Sequence, residues 1–285
     1  MMDNKVKNDS GLKVKRTIIY IVLILISVMC LFWFLVLFIN ATRSNGELSA
    51  GFTLIPSTYL IINFDNLFHG TLPIMRGLLN SAVIAFASSI ICVYFSTMTA
   101  YAIQVYRFRG RKAIFTFILA IMMIPTQVSA LGFINLVSAM GLEDSFIPLI
   151  IPAIASPVTF FYMKQYMQSN LPMSLIEAAR IDGAGEFKTF NMITIPLMKP
   201  AIAVQMIFSF VASWNNYFIP SLVLYNDKKK TLPILIAQLR AAEWMKFDMG
   251  QVYAMIAFSI FPVIIVYLFL SKYIVGGVTA GGVKE

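Results

Sequence analysis

Residues 17–40 run for about 24 positions without a charged side chain, and this run limits the fold more than any other stretch. A helix of about 20 apolar residues matches the roughly 30 Å hydrocarbon layer of a membrane. The run is longer than the apolar region of a signal peptide and has no small-residue cleavage site before Arg43. It reads as a first span kept in the chain. Five more charge-free windows follow at 78–103, 113–137, 145–163, 200–225 and 249–271. The expected fold is therefore an all-α integral membrane protein with six transmembrane helices across residues 17–271. Composition agrees, with 59% hydrophobic and 12% charged residues where a soluble domain carries about 25% charged.

Proline placement qualifies these helices. Pro125, in Pro125-Thr126-Gln127, falls in mid-span and frees a backbone carbonyl, a kink that protein or a water-filled path must re-satisfy. Pro148, Pro152 and Pro157 make the fourth window the least regular. Residues 41–76 are mixed, and the apolar piece 54–62 is too short to cross; an interfacial segment and a re-entrant turn both stay open. His69, beside Gly70, is expected in an exposed turn.

Charge gives the orientation. Residues 1–16 hold five Lys and Arg and no apolar face, so they are expected to be a disordered tail. With this tail, the 107–112 turn, 164–199 and 272–285 on one side, that side carries 15 of the 22 basic residues. By the positive-inside rule it is the cytoplasmic one, with both termini there. The formal net charge of +9 then reflects orientation and contact with anionic lipid, with no need of nucleic acid. The glycine-rich tail 272–285 is expected to be flexible.

Between the fourth and fifth windows lies the longest polar island of the second half. Ser174-Leu175-Ile176-Glu177 has the S-x-x-E form of a capping box, which predicts a helix starting at Ser174. Asp182-Gly183 predicts its end, because Gly183 takes the left-handed C′ conformation at no Cβ cost and Gly185 loosens the next step. Ala178, Ala179 and Ile181 form a small smooth surface, flanked by the charges of Glu177, Arg180 and Asp182. Such a surface suits docking better than catalysis.

Glu177-Ala178-Ala179, Asp182-Gly183-Ala184, Ile195-Pro196-Leu197 and Pro200 resemble the EAA loop of permease subunits of ABC importers. That pattern reads EAA, three residues, G, about nine residues, I-x-L-P. Ile195 stands where the usual residue before the proline is Leu. With Ile181 and the later Trp214-Asn215, the likeness is to carbohydrate-importer permeases of the maltose type, over roughly residues 70–285. The resemblance implies a cytoplasmic coupling helix between helices 4 and 5, built on Ser174, Glu177, Ala178, Ala179, Asp182, Gly183, Ala184 and Gly185, seated in a cleft of an ATPase. It implies as partners a second homologous permease, two cytoplasmic ATPase subunits carrying ATP and Mg, and an extracellular solute-binding protein, in a bacterial cell membrane. No cofactor is expected on this chain itself. It has no G-x-x-x-x-G-K-[ST] for ATP, and its one His cannot build a multi-histidine metal site.

No predicted span contains a Lys, Arg, Asp or Glu, which argues for a neutral solute. Gln127, Asn135, Trp214, Asn215, Asn216 and Tyr217 are the candidate path residues, because amides exchange hydrogen bonds with hydroxyls while ring faces stack on C–H surfaces. For Trp214 to Tyr217, ligand path and bracing between helices both stay open, and for Asn80, Asn135 and Gln205 bracing is favoured. An alternative is a self-contained secondary transporter or channel for a neutral solute. That device needs an ion-coupling carboxylate in a span or inverted repeats with broken helices, and neither is evident in the sequence.

Overall fold

The computed structural model describes residues 3–241 and 248–281, and every regular element among them is helical. In chain order these are α1 (Asp3–Ala41), α2 (Asn45–Ser49), α3 (Leu60–Phe68), α4 (Ile74–Val105), α5 (Arg111–Ile121), α6 (Thr126–Ala139), α7 (Ile147–Ile150), a 3₁₀ turn (Ile151–Ile154) and α8 (Pro157–Asn170). After them come α9 (Met173–Ile181), α10 (Glu186–Thr189), a π turn (Phe190–Thr194), α11 (Ile195–Leu197), α12 (Lys199–Trp214), α13 (Phe218–Val223), α14 (Leu232–Arg240) and α15 (Met249–Gly281). Four stretches are long and apolar enough to cross a membrane, Leu12–Ala41, Ile74–Val105, Ile147–Asn170 and Met249–Ile274. Two pairs, α5 with α6 and Glu186–Leu197 with α12, are bent by 96° and 82°. Among the described residues the candidate spans therefore number four, or up to six if each bent pair counts as one.

Several boundaries differ from the sequence reading. The tail at 1–16 is not a disordered arm, because α1 is helical from Asp3. A helix nucleated in the apolar run propagates outward into the tail, across Asn8-Asp9-Ser10-Gly11 of poor helix propensity. Helix α15 continues to Gly281 through the stretch expected to be a flexible tail; the Gly276-Gly277 pair costs about 1 kcal/mol per residue and does not end it. Residues 242–247 and 282–285 lie outside the described residues. The expected 164–199 loop is largely helical, since α8 runs to Asn170 and puts Lys164 on a helix. It stops at Leu171, which the following Pro172 pushes into an extended conformation. The 200–225 window is interrupted after Trp214, and α14 forms in a stretch expected to be an outer loop.

Residues up to Gly70 and Leu239–Phe258 form one compact unit. There the carbonyls at the end of α1 are tied down. Asn63, 2% exposed, donates from Nδ2 to Ala41 O and Arg43 O at 2.9 Å each. The buried Arg43 guanidinium donates to Gly51 O at 2.9 Å and also to Glu47 O. A capping box does occur here, on α2: Ser44 Oγ accepts from Glu47 N, and Glu47 Oε2 accepts from Ser44 N at 2.8 Å. The amide of Ser44 holds the Glu47 carboxyl below its ordinary range. Gly250, at the start of α15, sits against this knot, where a Cβ would lie 2.7 Å from Arg43 O. His69, at the end of α3, is exposed beside Asp65 as expected.

Thr71–Gln238, with the chain from Ser259, forms the second unit, arranged around α4. Helices α8 and α12 pack on α4, which buries residues on every side, among them Ile84, Cys92, Thr97 and Tyr101. Near its start, Gly77 lets Leu235 of α14 approach, and Ser81 Oγ accepts from Leu232 N at 2.8 Å. Asn80 donates to Lys228 O and Lys230 O at 3.0 and 2.9 Å, so it braces.

Asp144 closes the same end. It holds a left-handed backbone, φ 51°, and its Oδ1 accepts from Tyr225 N and Asn226 N at 3.3 and 3.1 Å, with Lys229 3.1 Å from Oδ2. Burial alone would raise this carboxyl, but the Asn226 amide and Lys229 outweigh it and hold it below the ordinary range. Asp144→Ala is expected to cost about 1–3 kcal/mol, seen as a lower unfolding midpoint in detergent. A carboxyl held low stabilises above its unfolded-state pKa and stops doing so as pH falls through its folded value. The gap between wild type and variant should therefore narrow only below about pH 4; a gap unchanged at pH 3 would remove the carboxylate from the account.

Candidate functional site

The polar island folds as a short helix held from both ends. Pro172, with φ −66° and ψ 123°, precedes α9, so the helix starts at Met173 and no side chain caps it. The capping box expected at Ser174 and Glu177 does not form. Ser174 lies one residue inside the helix, too deep for its hydroxyl to reach the free amides. The far end is as expected. Gly183 has φ +74°, its amide donates to Arg180 O at 3.1 Å, and Ala184 N reaches Ala179 O at 2.9 Å. This pair of bonds is a Schellman motif, which turns the chain sharply and satisfies carbonyls the helix would leave open. Gly185 is exposed and extended and starts α10, whose Thr189 amide donates back to Gly185 O.

A nine-residue helix, roughly 13 Å long, is marginal by itself. It is fastened by Ile176, fully buried, which contributes about 1.5–3 kcal/mol. Ile176 enters a core with Met163, Met167, Phe190 and Met198. Ala179, 5% exposed, is buried as well, so it is not part of the outward surface expected for it. The helical repeat places it three residues after Ile176, on the same face. Outward are Leu175, Glu177, Ala178, Ile181 and Asp182, with Ile181 87% exposed.

A polar cluster absent from the sequence reading joins this helix to the end of α4. Arg180 Nε donates to Glu186 Oε1 at 2.7 Å, and Tyr101 Oη donates to Glu186 Oε2 at 2.9 Å. The Arg180 guanidinium also lies 5.8 Å from the Tyr106 ring centre. Arg180 and Glu186 are each close to 40% exposed, so the pair alone is worth at most about 1 kcal/mol. Its four members lie on three separate segments, which makes it a joint. The six-residue spacing from Arg180 to Glu186 across a Gly183 turn was the available signal.

The second candidate site is an open cavity of about 960 Å³ in the α4 unit. Its wall includes Ser88 and Cys92 of α4, Gln205, Ser209 and Ser213 of α12, and the aromatic rings of Phe133, Tyr162 and Phe208. None of the lining residues is charged. Of the expected path residues, Asn216 lines it; Gln127 and Asn135 are exposed outside the lining on α6, and Asn215 and Tyr217 are exposed without lining it. Trp214 is 3% exposed, stacks on Phe210 with ring centres 5.6 Å apart, and donates from Nε1 to Ser259 O at 3.1 Å. For Trp214 the geometry is bracing. Gln205, Ser209 and Ser213 recur every four residues, a helical-face pattern that marks the cavity wall. Among the described residues no group of three or more His, Cys, Asp or Glu is arranged to hold a metal ion.

Residues 92–279 match the family model described as binding-protein-dependent transport system inner membrane component. An arabinooligosaccharides transport system permease protein of Bacillus subtilis (strain 168) is 34% identical over 284 residues, covering 98% of this chain and 99% of its own. A sn-glycerol-3-phosphate transport system permease protein of Yersinia pestis is 31% identical, covering 95% and 98%. A maltodextrin transport system permease protein of Bacillus subtilis (strain 168) is 31% identical, covering 93% and 95%. Among solved structures, a bacterial ABC transporter involved in the import of the acidic polysaccharide alginate aligns with a TM-score of 0.77 and 23% identity, over 92% of this chain and 96% of that one. A bacterial alginate ABC transporter in complex with an alginate pentasaccharide-bound periplasmic protein aligns with a TM-score of 0.60 and 17% identity, over 90% and 94%.

Proposed function

Because this chain belongs to the binding-protein-dependent transport system inner membrane components, we propose that it is the pore-forming permease subunit of an ATP-driven importer for a neutral sugar or oligosaccharide. Solute reaches it from an extracellular binding protein. A second permease completes the path, and two cytoplasmic ATPase subunits, carrying ATP and Mg, drive it. The multi-pass chain lies in a bacterial cell membrane with both termini in the cytoplasm. The observation that carries this reading is α9, a helix fixed by a buried Ile176 and a Schellman turn that offers Ile181, Ala178 and Glu177 outward. A short rigid helix with an exposed outer face is what a separate ATPase needs in order to push on a membrane path. Two of the named relatives move oligosaccharides or maltodextrins, and the cavity has no charged lining residue, which supports a neutral solute.

Purification of the tagged chain in mild detergent is expected to bring down a second permease and an ATPase. Reconstituted with ATP only on the side holding the amino terminus and binding protein on the other, the complex should accumulate a neutral oligosaccharide. Accumulation driven by an ion gradient without ATP would establish a secondary transporter instead.

A further inference from the structure

A ladder of polar side chains joins α4 to α12 and stops one rung short. Ser88 Oγ donates to Ser213 Oγ at 3.0 Å, and Cys92 Sγ lies 3.5 Å from Ser209 Oγ. Each step moves four residues forward on α4 and four back on α12, so the next pair in that register is Ser96 with Gln205. There the bond is not made. Ser96 Oγ is buried and has no hydrogen-bond partner. Gln205 is 5% exposed, its side chain pairs with no described residue, and it lines the cavity. A primary amide brings two donors and an acceptor, and those of Gln205 stand open to the cavity. A side chain kept only to stitch two helices would bond across the gap, as the two rungs above it do.

Broken helices border the same cavity. Met122 and Ile124 line it between α5 and α6, Ser156 lines it between the 3₁₀ turn and α8, and Asn216 lines it between α12 and α13. Irregular backbone at membrane depth is tolerated where it is buried in protein or lines a water-filled cavity. A volume of about 960 Å³ falls in the range of ligand sites, about 300–1,000 Å³. Such sites combine apolar and aromatic walls with a few placed polar groups.

We propose that Gln205 is the polar contact of a solute subsite on this subunit, where its amide exchanges hydrogen bonds with the hydroxyls of a neutral, hydroxylated solute in passage. The proposal rests on the reading of the chain as an importer subunit and names the residue that meets the cargo. Phe133, Tyr162 and Phe208 supply faces for the C–H surfaces of the same solute, and the uncharged wall leaves a phosphate or carboxylate without a counter-ion.

The test uses the reconstituted complex with arabinotriose, maltotriose and sn-glycerol 3-phosphate as probes. Gln205→Met keeps an unbranched side chain of similar volume and removes the amide. It is expected to lower uptake of the transported trisaccharide about tenfold at saturating binding protein, while stimulated ATP hydrolysis changes less than twofold. Gln205→Asn should recover part of the loss. A second measurement needs no change at Gln205. With Cys30→Ser, Cys92 is the one cysteine left of the two in this chain, and it lies on the cavity wall. The transported trisaccharide is expected to slow its modification by N-ethylmaleimide at least fivefold. Wild-type uptake in Gln205→Met, or no protection of Cys92 in a complex that does transport a trisaccharide, overturns the subsite. Uptake of sn-glycerol 3-phosphate and of neither trisaccharide overturns the neutral-solute reading itself, an outcome visible before any variant is made.

Discussion

Gly183→Val leaves the chain inserted and assembled with its partners, yet separates ATP hydrolysis from uptake: accumulation per ATP hydrolysed is expected to fall about tenfold. The argument is local. Gly183 sits at φ +74° with nothing within 4 Å of where a Cβ would stand, so the cost of a side chain there is backbone strain. Left-handed backbone costs an ordinary residue about 1–2 kcal/mol, and 1.4 kcal/mol is a factor of ten in an equilibrium. Relief of that strain opens the Gly183–Arg180 and Ala184–Ala179 bonds and lets the outward face of α9 drift from the joint at Arg180 and Glu186. Asparagine tolerates left-handed backbone, so Gly183→Asn should stay within about twofold of wild type. Uptake and ATPase activity measured in the same vesicles decide it; wild-type values for the valine variant would make this segment an ordinary connection.

Gly250→Ala is expected to lower the unfolding midpoint of the purified chain more than Gly77→Ala does, although the nearest approach is closer at Gly77. A Cβ on Gly77 would overlap Leu235 Cδ1, the far end of a side chain that can change rotamer. A Cβ on Gly250 would lie 2.7 Å from Arg43 O and 2.9 Å from both Nδ2 and Oδ1 of Asn63. Those atoms cannot yield separately, because Asn63 Nδ2 is bonded to Arg43 O and to Ala41 O. Overpacking costs about 1–3 kcal/mol, and each buried bond broken in relieving it adds about 1 kcal/mol. Equal midpoints for the two variants would show that the knot around Arg43 is soft.

What the sequence disclosed follows from how local each feature is. The turn at Gly183 was legible because a left-handed C′ residue is set by its immediate neighbours. The interruption at Pro125 was legible for the same reason. The supposed cap at Ser174 was misplaced because Pro172 starts the helix early, and the same S-x-x-E pattern at Ser44 and Glu47, which does form a box, went unnoticed in a mixed stretch. Trp214 and Gln205 could not be sorted by type. One is a polar-tipped ring that turns inward to Ser259 and the other an amide left open, a difference set by helix register across the fold. Ala179 faces inward for the same kind of reason, because Ile176 on its own face is drawn into a core supplied by α8 and the π turn.

The π turn at Phe190–Thr194 acts as a spacer of phase. An α-helix advances about 100° per residue, and a π turn holds one residue more than the α turn it replaces. Within the continuous stretch Glu186–Leu197, a residue gained or lost would turn the side chains before it by about 100° relative to those after it, so the register of this stretch is set by the surplus residue of the π turn.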